Sequence, residues 1–489
     1  MSKQSGFPKY LLNKISVISE QLMKSCLELN VTSSNACEIF EELYNCTEKL
    51  IHLQKKYCSL RKLETVEADR ESVLKHLCTI QNDVFEHQVV IKKFGLHGFG
   101  LSAEASLEPS SFHRTLLPLE WKMLLLASVY CQKCWTGRSR VGTIIYASAL
   151  PDTYLTFMYM TPGDLKQLKG SPVLTMAVSN YQSICRQYAY FFNRFEALRL
   201  PIFRRFCFED FRWAVSTVMS RNNLIPTGAG LRPKMCLIPI WDMINHKSHH
   251  MTTDFDPDTN ELIFYAMESC IPGDEIFMDY GKRTNAEFFL FSGFVPTYNP
   301  HNRVTVSLAI SKSDTLSDAR HKLLEVVGLT SPLQSAVSLD PTSLKELIAF
   351  ARVFVMTKDQ LEHHLSHPDS ATEIVRNSIV NRTLENDLKA VDFLIKRFGL
   401  LIVMYGPSPE ENGEQHVQFT IMEQNCARLK QQEIAILRSC IAALNAMTAE
   451  PSDPAVILDG LSITDAQCNL TPLSSSSEAE TRYATSQSS

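Results

Sequence analysis

The chain has 489 residues, of which 45% are hydrophobic and 21% charged, a composition typical of globular domains that excludes a disordered or low-complexity protein. Its formal net charge is −5, and residues 451–489 hold five acidic side chains and one basic side chain, so the remainder is nearly neutral. A nearly neutral body lacks the basic surface of a dedicated nucleic-acid-binding protein, and we expect no nucleic-acid partner.

The N-terminus shows no secretory signal, and no apolar run is long enough to cross a membrane. Fourteen cysteines scattered over a large chain are typical of a reducing compartment. We expect a monomer in the cytoplasm, with the nucleus as a second compartment and no membrane partner.

Residues 8–60 are predicted to be helical because their apolar positions repeat every three and four residues. Near residue 90 the pattern changes to a strand, a glycine-containing turn at residues 95–100 and a second strand. Residues 164–222 are again helical, and their last part is amphipathic.

Short β-rich runs follow at residues 262–266 and 276–280, and Pro272-Gly273-Asp274 predicts a turn between them. Residues 310–445 have helical periodicity, and the Ser/Thr-rich remainder is predicted to be disordered. This order indicates an α+β fold in which a helical insertion interrupts a mostly-β core.

Metal chemistry has little support in the sequence. Cys131 and Cys134 form a C-x-x-C pair, but no second pair completes the four ligands of a structural zinc site. The histidines at 363, 364 and 367 lie in a polar helical stretch, where a solvated face is the simpler interpretation. We predict no metal.

Three motifs in a fixed order are more specific. They are Gly98-Phe99-Gly100-Leu101, then Trp241-Asp242-Met243-Ile244-Asn245-His246, then Asp279-Tyr280-Gly281 followed by Arg283-Thr284-Asn285-Ala286-Glu287-Phe288. In this order they resemble the SET-domain methyltransferases, in the subgroup of the Rubisco lysine methyltransferase. Within that subgroup the chain is most similar to the actin-histidine N-methyltransferases.

The resemblance implies a mostly-β SET core with a helical insertion and an all-helical C-terminal substrate-binding domain. It predicts an N-terminal helical segment at 1–85, a SET domain at 86–295 with its insertion at about 160–220, a substrate-binding domain at 296–445 and a disordered acidic tail at 446–489. It implies actin as the protein partner.

The resemblance also implies S-adenosylmethionine as the methyl donor, and the glycines fit this because they allow the backbone to approach a ligand closely. Arg221 is expected to pair with the donor's carboxylate, a charge-assisted contact. The other residues expected to line the donor site are Arg70, His97, Gly98, Phe99, Asp242, Met243, Ile244, Asn245, His246, Ser292, Gly293 and Phe294.

Tyr280 is the expected catalytic residue, because a tyrosine hydroxyl beside the methyl group can hold the in-line geometry of the transfer. Asn223 is expected to orient a target imidazole by a hydrogen bond to one ring nitrogen. Asn223 and Trp241 are the expected substrate-binding residues, as the resemblance implies.

Residues 102–150 depart from the family pattern, and we do not find in them the pair of core strands that the SET fold requires. Two alternatives therefore stay open. One is a lysine methyltransferase, against which Asn223 argues. The other is a catalytically impaired, SET-derived binding protein.

Overall fold

The structure is a computed structural model that describes residues 6–58, 89–106, 112–115, 119–120, 146–147, 149–225, 233–249, 253–256, 261–377, 379–407 and 419–449. It divides into two compact units. The first comprises Met1–Arg303 and Leu401–Ile434, and the second comprises Val304–Leu400 and Ala435–Ser489. Of the predicted disordered tail at 446–489, residues 446–448 belong to a helix that ends at Thr448, and residues 450–489 lie outside the described residues. The Cys131–Cys134 pair also lies outside them.

The helical part of the first unit begins with α1 (Lys9–Glu28) and α2 (Ala36–Gln54), which pack against the long helix Val173–Ala197. The predicted insertion forms α3 (Pro162–Gln167), α4 (Val173–Ala197) and α5 (Phe208–Arg221). Apolar residues of α1 and α2 are buried at the predicted helical spacing, together with aromatic residues of α4 and α5. One buried polar side chain of this core is fully paired, since Gln54 donates to the Tyr188 hydroxyl at 2.8 Å and accepts from the Phe208 N–H at 2.8 Å.

The strands of the first unit form three small sheets. The sheet that carries the motifs has the order β1-β2-β10-β7, in which β1 is Val89–Phe94, β2 is Gly98–Ala103, β7 is Asn245–His246 and β10 is Glu275–Met278. The predicted strand, glycine turn and second strand near residue 90 are confirmed as β1, the 3-10 turn Gly95–His97 and β2.

The other two sheets contain strands from the region that departs from the family pattern. β3 (Phe112–Thr115) pairs with β9 (Glu261–Tyr265), which also pairs with β8 (Thr253–Asp256). β4 (Leu119–Glu120) pairs with β6 (Lys234–Leu237), which also pairs with β5 (Asn223–Ile225). The expectation that residues 102–150 lack core strands is therefore wrong, because their partners lie far along the chain and local alternation does not reveal them.

A short helix, α6 (Asn285–Glu287), and a π-helical turn at Phe288–Ser292 follow the motif that contains Tyr280. Thr284 and Glu287 form a capping box at the start of α6. Helix α12 (Ile421–Thr448) begins in the first unit and continues into the second. Among the described residues, no helix is long and apolar enough to cross a membrane.

The second unit is mainly helical. Its helices are α7 (Ser317–Val326), α8 (Lys345–Val355), α9 (Lys358–Ser366), α10 (Pro368–Arg376), α11 (Glu385–Met404, up to Leu400) and the last part of α12. It also contains two antiparallel strands, β11 (Val304–Leu308) and β12 (Leu333–Val337), which the sequence analysis did not find. Buried and exposed residues alternate along both strands, as expected for a strand with one buried face. Each strand has only five residues, so the helical periodicity of the surrounding sequence hides this alternation.

The core of the second unit contains one buried charge pair with all its hydrogen bonds made. Arg352 of α8 is 2% exposed and binds both carboxylate oxygens of Asp387, at 2.7 and 2.9 Å. Its remaining donors go to the carbonyl oxygens of Val375, Asn377 and Ile379. Such a pair fixes the connection between α10 and α11, because all its donors have partners.

We expect Arg352→Met to lower the free energy of unfolding by about 3–5 kcal/mol, because it leaves the buried Asp387 carboxylate without its counter-ion. The measurement is chemical denaturation of the purified protein. Lys389→Met is the matched control, since Lys389 pairs with Glu385 on the surface of α11, and exposed pairs contribute little. Equal losses in the two variants would contradict this interpretation.

Candidate methyl-transfer site

Strand β10 brings the three sequence motifs into one sheet. It pairs with the glycine-containing β2 in antiparallel register, with Ile276 opposite Leu101. On its other edge it runs parallel to β7, with Phe277 opposite Asn245. Tyr280 follows β10 by two residues, so the Gly, Asn-His and Tyr motifs meet at one end of this sheet.

Glu275, at the start of β10, ties two of these motifs together. Its carboxylate accepts a hydrogen bond from Asn245 Nδ2 at 2.7 Å and lies 2.8 Å from His97 Nδ1. A Cβ at Gly100 would stand 2.7 Å from Asn245 Nδ2, so the Asn245 side chain would have to move away from this position. The sequence analysis missed Glu275. Its position as a charged residue directly after the predicted Pro272-Gly273-Asp274 turn is the signal that could have identified it.

The predicted main-chain segment at His97–Phe99 comprises the last residue of the 3-10 turn and the first two residues of β2. Gly98 has a φ of +73°, in the left-handed region that favours glycine. The His97 ring is 57% exposed, and Asn245 Nδ2 also lies 3.4 Å from the carbonyl oxygen of Phe99. The backbone of this segment therefore borders Asn245, another residue predicted for the donor site.

Tyr280 is held at both its hydroxyl and its backbone. Its hydroxyl donates to the carbonyl oxygen of Ile244 at 2.8 Å, and its N–H donates to His246 Nδ1 at 3.2 Å. Burial raises the pKa of Tyr280 to about 12. At neutral pH its side chain is therefore an uncharged phenol with a fixed orientation.

Aromatic rings surround His246 next to Tyr280. The centroid of the His246 ring lies 4.6 Å from that of Phe288, 5.0 Å from that of Tyr280 and 5.9 Å from that of Phe294. Burial lowers the pKa of His246, so its Nδ1 can accept the hydrogen bond from Tyr280. Phe288 was not among the predicted site residues, because only the packing of the π-helical turn brings it here.

Arg221 and Asp242 form a partly buried charge pair. Arg221 Nη1 donates to the backbone carbonyl of Asp242 at 2.7 Å and lies 3.7 Å from its carboxylate. The Tyr146 hydroxyl donates to the other carboxylate oxygen. Burial raises the pKa of Asp242 to about 6, although the charge of Arg221 and the Tyr146 hydrogen bond both oppose this.

The structure places Asn223 and Trp241 in different environments. Asn223 is partly buried at the start of β5, and its Nδ2 lies 3.2 Å from the carbonyl oxygen of Arg221. The Trp241 side chain is fully buried and packs edge-on against Phe264, with 5.6 Å between ring centroids. The structure thus gives Trp241 a place in the core and no surface for a substrate, and its substrate-binding role stays a prediction.

The segment Ser292-Gly293-Phe294 follows the π-helical turn. Gly293 has a φ of +82°, and a Cβ there would lie 2.9 Å from the carbonyl carbon of Leu155. The Phe294 ring lies 6.3 Å from that of Tyr280, at a steep angle. This segment therefore borders the Tyr280 cluster.

Three buried hydrogen-bond donors on residues predicted for this site have no partner among the described residues, namely Arg221 Nε, Trp241 Nε1 and Ser292 Oγ. Buried polar atoms without partners in a native fold call for an explanation, and a bound polar ligand is one. A guanidinium suits a carboxylate, and a hydroxyl suits a polar ligand group. The residues present thus fit the amino-acid end of S-adenosylmethionine. Met243 is buried beside them, and Arg70 lies outside the described residues.

Comparison with known proteins gives a consistent result. The SET domain family model matches residues 48–281, and the Rubisco LSMT substrate-binding model matches residues 311–440. An actin-histidine N-methyltransferase of Xenopus tropicalis is 30% identical over 440 residues, covering 83% of this chain and 74% of that protein. This chain belongs to the actin-histidine N-methyltransferase family. The predicted resemblance is confirmed.

Other members of this family match as well. The protein of Gallus gallus is 29% identical over 83% of this chain and 72% of its own length. The protein of Mus musculus is 36% identical, but over 55% of this chain and 46% of its own length.

Solved structures confirm the fold class. Rubisco LSMT bound to AdoMet has a TM-score of 0.59 and 17% identity over 78% of this chain and 92% of that chain. The SET domain of LSMT bound to lysine and AdoHcy has a TM-score of 0.61 and 16% identity, over 77% and 91%. The α+β prediction of a SET core with a helical C-terminal region is confirmed.

The raised pKa of Asp242 predicts a pH dependence of stability. Its folded-state pKa of about 6 exceeds its ordinary value of 3.8, so the folded protein holds this proton more tightly than the unfolded chain does. The contribution of this group is complete below about pH 4 and is lost as the pH rises through about 6. We expect Asp242→Asn to remove this contribution to the pH dependence of the free energy of unfolding. The measurement is chemical denaturation at a series of pH values between about 4 and 7.

The control for this experiment is Asp152→Asn, at an exposed position in the same unit. If the free energy of unfolding changes with pH equally in the Asp242→Asn variant and in the wild type, Asp242 does not titrate in this range.

Proposed function

We propose that this protein transfers a methyl group from S-adenosylmethionine to an imidazole nitrogen of a histidine in actin. Family membership supports the reaction class and the substrate. The observation in the structure that carries the proposal is the convergence of Tyr280, His246 and Asn245 with the backbone at His97–Phe99 at one end of the β1-β2-β10-β7 sheet.

The chain offers separate groups for the separate parts of the donor. The backbone at His97–Phe99 and the Asn245 amide would hold one part, and Arg221 would pair with the carboxylate. Ser292 Oγ offers a further donor, and Phe294 an apolar surface. When bound, S-adenosylmethionine supplies an electrophilic methyl group on a sulfonium.

Tyr280 orients the reaction and does not act as a base. Its pKa of about 12 keeps the hydroxyl protonated at neutral pH, and the carbonyl oxygen of Ile244 fixes its direction. The rings of Phe288 and Phe294 lie beside it, with centroids 6.4 and 6.3 Å from that of Tyr280, and give this side of the site an apolar surface. A fixed phenol in an apolar surrounding favours an in-line arrangement of nucleophile, methyl group and sulfur.

Asn223 supports histidine over lysine as the target. An amide offers both a donor and an acceptor, so it can bind one imidazole nitrogen and leave the lone pair of the other directed at the methyl group. A lysine amine needs no such partner on its far side. Asn223 is partly buried and lies two residues after Arg221, so the two expected binding residues are close together in the chain.

The sequence-based expectation of a cytoplasmic or nuclear monomer without nucleic-acid or membrane partners stays a prediction. No feature of the site bears on it.

The deciding experiment is methyl transfer from labelled S-adenosylmethionine to unmethylated purified actin, with the modified residue identified by mass spectrometry. Label on a histidine supports the proposal. Label confined to lysine would favour the lysine methyltransferase alternative. Actin binding without any transfer would favour a SET-derived binding protein.

We expect Tyr280→Phe to lower kcat about 100-fold, because the variant loses the hydroxyl that fixes the transfer geometry. Its affinity for S-adenosylhomocysteine, measured by calorimetry, should change much less. Tyr298→Phe is the matched control, since the Tyr298 side chain is exposed. Wild-type kcat in Tyr280→Phe would remove this residue from the mechanism.

We expect Asn223→Ala to raise the KM for actin about tenfold, the effect of one lost hydrogen bond to the substrate ring. The KM for S-adenosylmethionine should stay within about twofold. Leu224→Ala, at the next and more exposed position of β5, is the control. An equal change in both KM values would argue that Asn223 only supports Arg221.

A further inference from the structure

Helix α12 carries three polar side chains at positions 425, 428 and 432, a spacing that places them on one helix face. Asn425 Nδ2 donates to the carbonyl oxygen of Gly293 at 3.1 Å. Arg428 Nη1 donates to the carbonyl oxygen of Val295 at 3.1 Å. All of these residues belong to the first unit.

Gln432 uses both ends of its amide. Its Nε2 donates to the carbonyl oxygen of Pro296 at 2.9 Å and to that of Thr297 at 3.2 Å. Its Oε1 accepts a hydrogen bond from Asn285, which starts α6. One side chain therefore links the two ends of the segment that contains the π-helical turn.

The start of α12 is well defined, so these side chains are presented from a fixed position. Thr420 and Glu423 form a reciprocal capping arrangement, with Glu423 N–H donating to Thr420 Oγ1 at 3.2 Å and Thr420 N–H donating to the Glu423 carboxylate at 2.8 Å. Asn425 is 6% exposed. Its hydrogen bond to Gly293 is therefore shielded from competing water.

The backbone that α12 holds is the backbone that borders the Tyr280 cluster. Phe294 lies between the carbonyl groups of Gly293 and Val295, both of which α12 binds. Its ring lies 5.9 Å from that of His246 and 5.2 Å from that of Phe288. A shift of this backbone would move Phe294 together with the Ser292 hydroxyl, which has no hydrogen-bond partner in the described part of the chain.

We propose that Asn425, Arg428 and Gln432, here called the carbonyl clamp, are positioning residues for the methyl-donor pocket. They act through the Ser292–Phe294 backbone and do not touch the donor themselves. The proposal rests on the proposed function, because it requires that Ser292–Phe294 contact the donor. It assigns part of the helical C-terminal region to the donor site, where the sequence analysis assigned it to substrate binding.

The effect on affinity follows from preorganisation. A binding site needs its contacting groups held within a fraction of an ångström, and groups outside the contact shell supply that restraint. Weakening the clamp lets the segment occupy other positions in the free protein. Only part of the free protein then has this segment in the position that binds the donor, so the apparent affinity for the donor falls.

The test compares Gln432→Glu with Gln431→Glu by calorimetric titration with S-adenosylhomocysteine. The first variant keeps the acceptor for Asn285 but replaces the donors to Pro296 and Thr297 with carboxylate oxygens, which can only accept. Gln431 is the exposed neighbour and receives the same charge change. We expect Gln432→Glu to raise Kd about tenfold and the control to leave it unchanged.

A second variant and its control keep the proposal testable if Gln432→Glu does not fold. Asn425→Ala removes the hydrogen bond to Gly293 and should also raise Kd about tenfold. Gln424→Ala, which removes only a bond to the carbonyl of Phe419, should not. The KM for actin should change less than about twofold in both clamp variants.

The titration separates the possible outcomes. A raised Kd at full stoichiometry, together with unchanged controls, supports the clamp. A lowered stoichiometry or melting temperature with an unchanged Kd would show a merely structural role and overturn it, while the proposed function stands. No binding of S-adenosylhomocysteine by the wild type would overturn the proposed function itself, and the clamp with it.

Discussion

The position of β10 between β2 and β7 is the constraint on which the candidate site depends. Its antiparallel pairing with β2 and its parallel pairing with β7 bring together segments that are distant in the sequence. Register matters because a slip of one residue would turn every side chain of a strand to the opposite face. The hydrogen bond from the Asn245 side chain to Glu275 joins β7 to β10, and the backbone of Gly100 in β2 lies close to both of these side chains. These contacts support the observed register.

Two buried arginine–aspartate pairs in this protein differ in how completely their hydrogen bonds are made. Arg352 and Asp387 make every strong contact available to them, and their role is to hold a chain connection. Arg221 and Asp242 are held less completely, since Arg221 Nε and one Asp242 oxygen have no hydrogen-bond partner among the described residues. Unsatisfied buried groups of this kind are costly in a purely structural core and are expected where a ligand completes the set.

The sequence located the three motifs, and the roles of their residues stay predictions. Tyr280 and His246 lie together in the fold because β10, which precedes Tyr280, pairs with β7, which carries His246. Trp241 shows the limit of this reasoning, since its motif gave no sign that its side chain is fully buried. Glu275 and Phe288 were missed because their importance arises only from the neighbours that the fold supplies.

The sequence by itself determined the family, the α+β class, the helices with regular apolar spacing and the residues of the three motifs. Each of these depends on residues close together in the chain, where periodicity and spacing are directly visible. Only the tertiary structure decided that residues 112–115 and 119–120 are strands, and that α12 binds the backbone after Gly293. The physical reason is that strand pairing and side-chain-to-carbonyl hydrogen bonds join residues far apart in the chain, so that no local pattern records them.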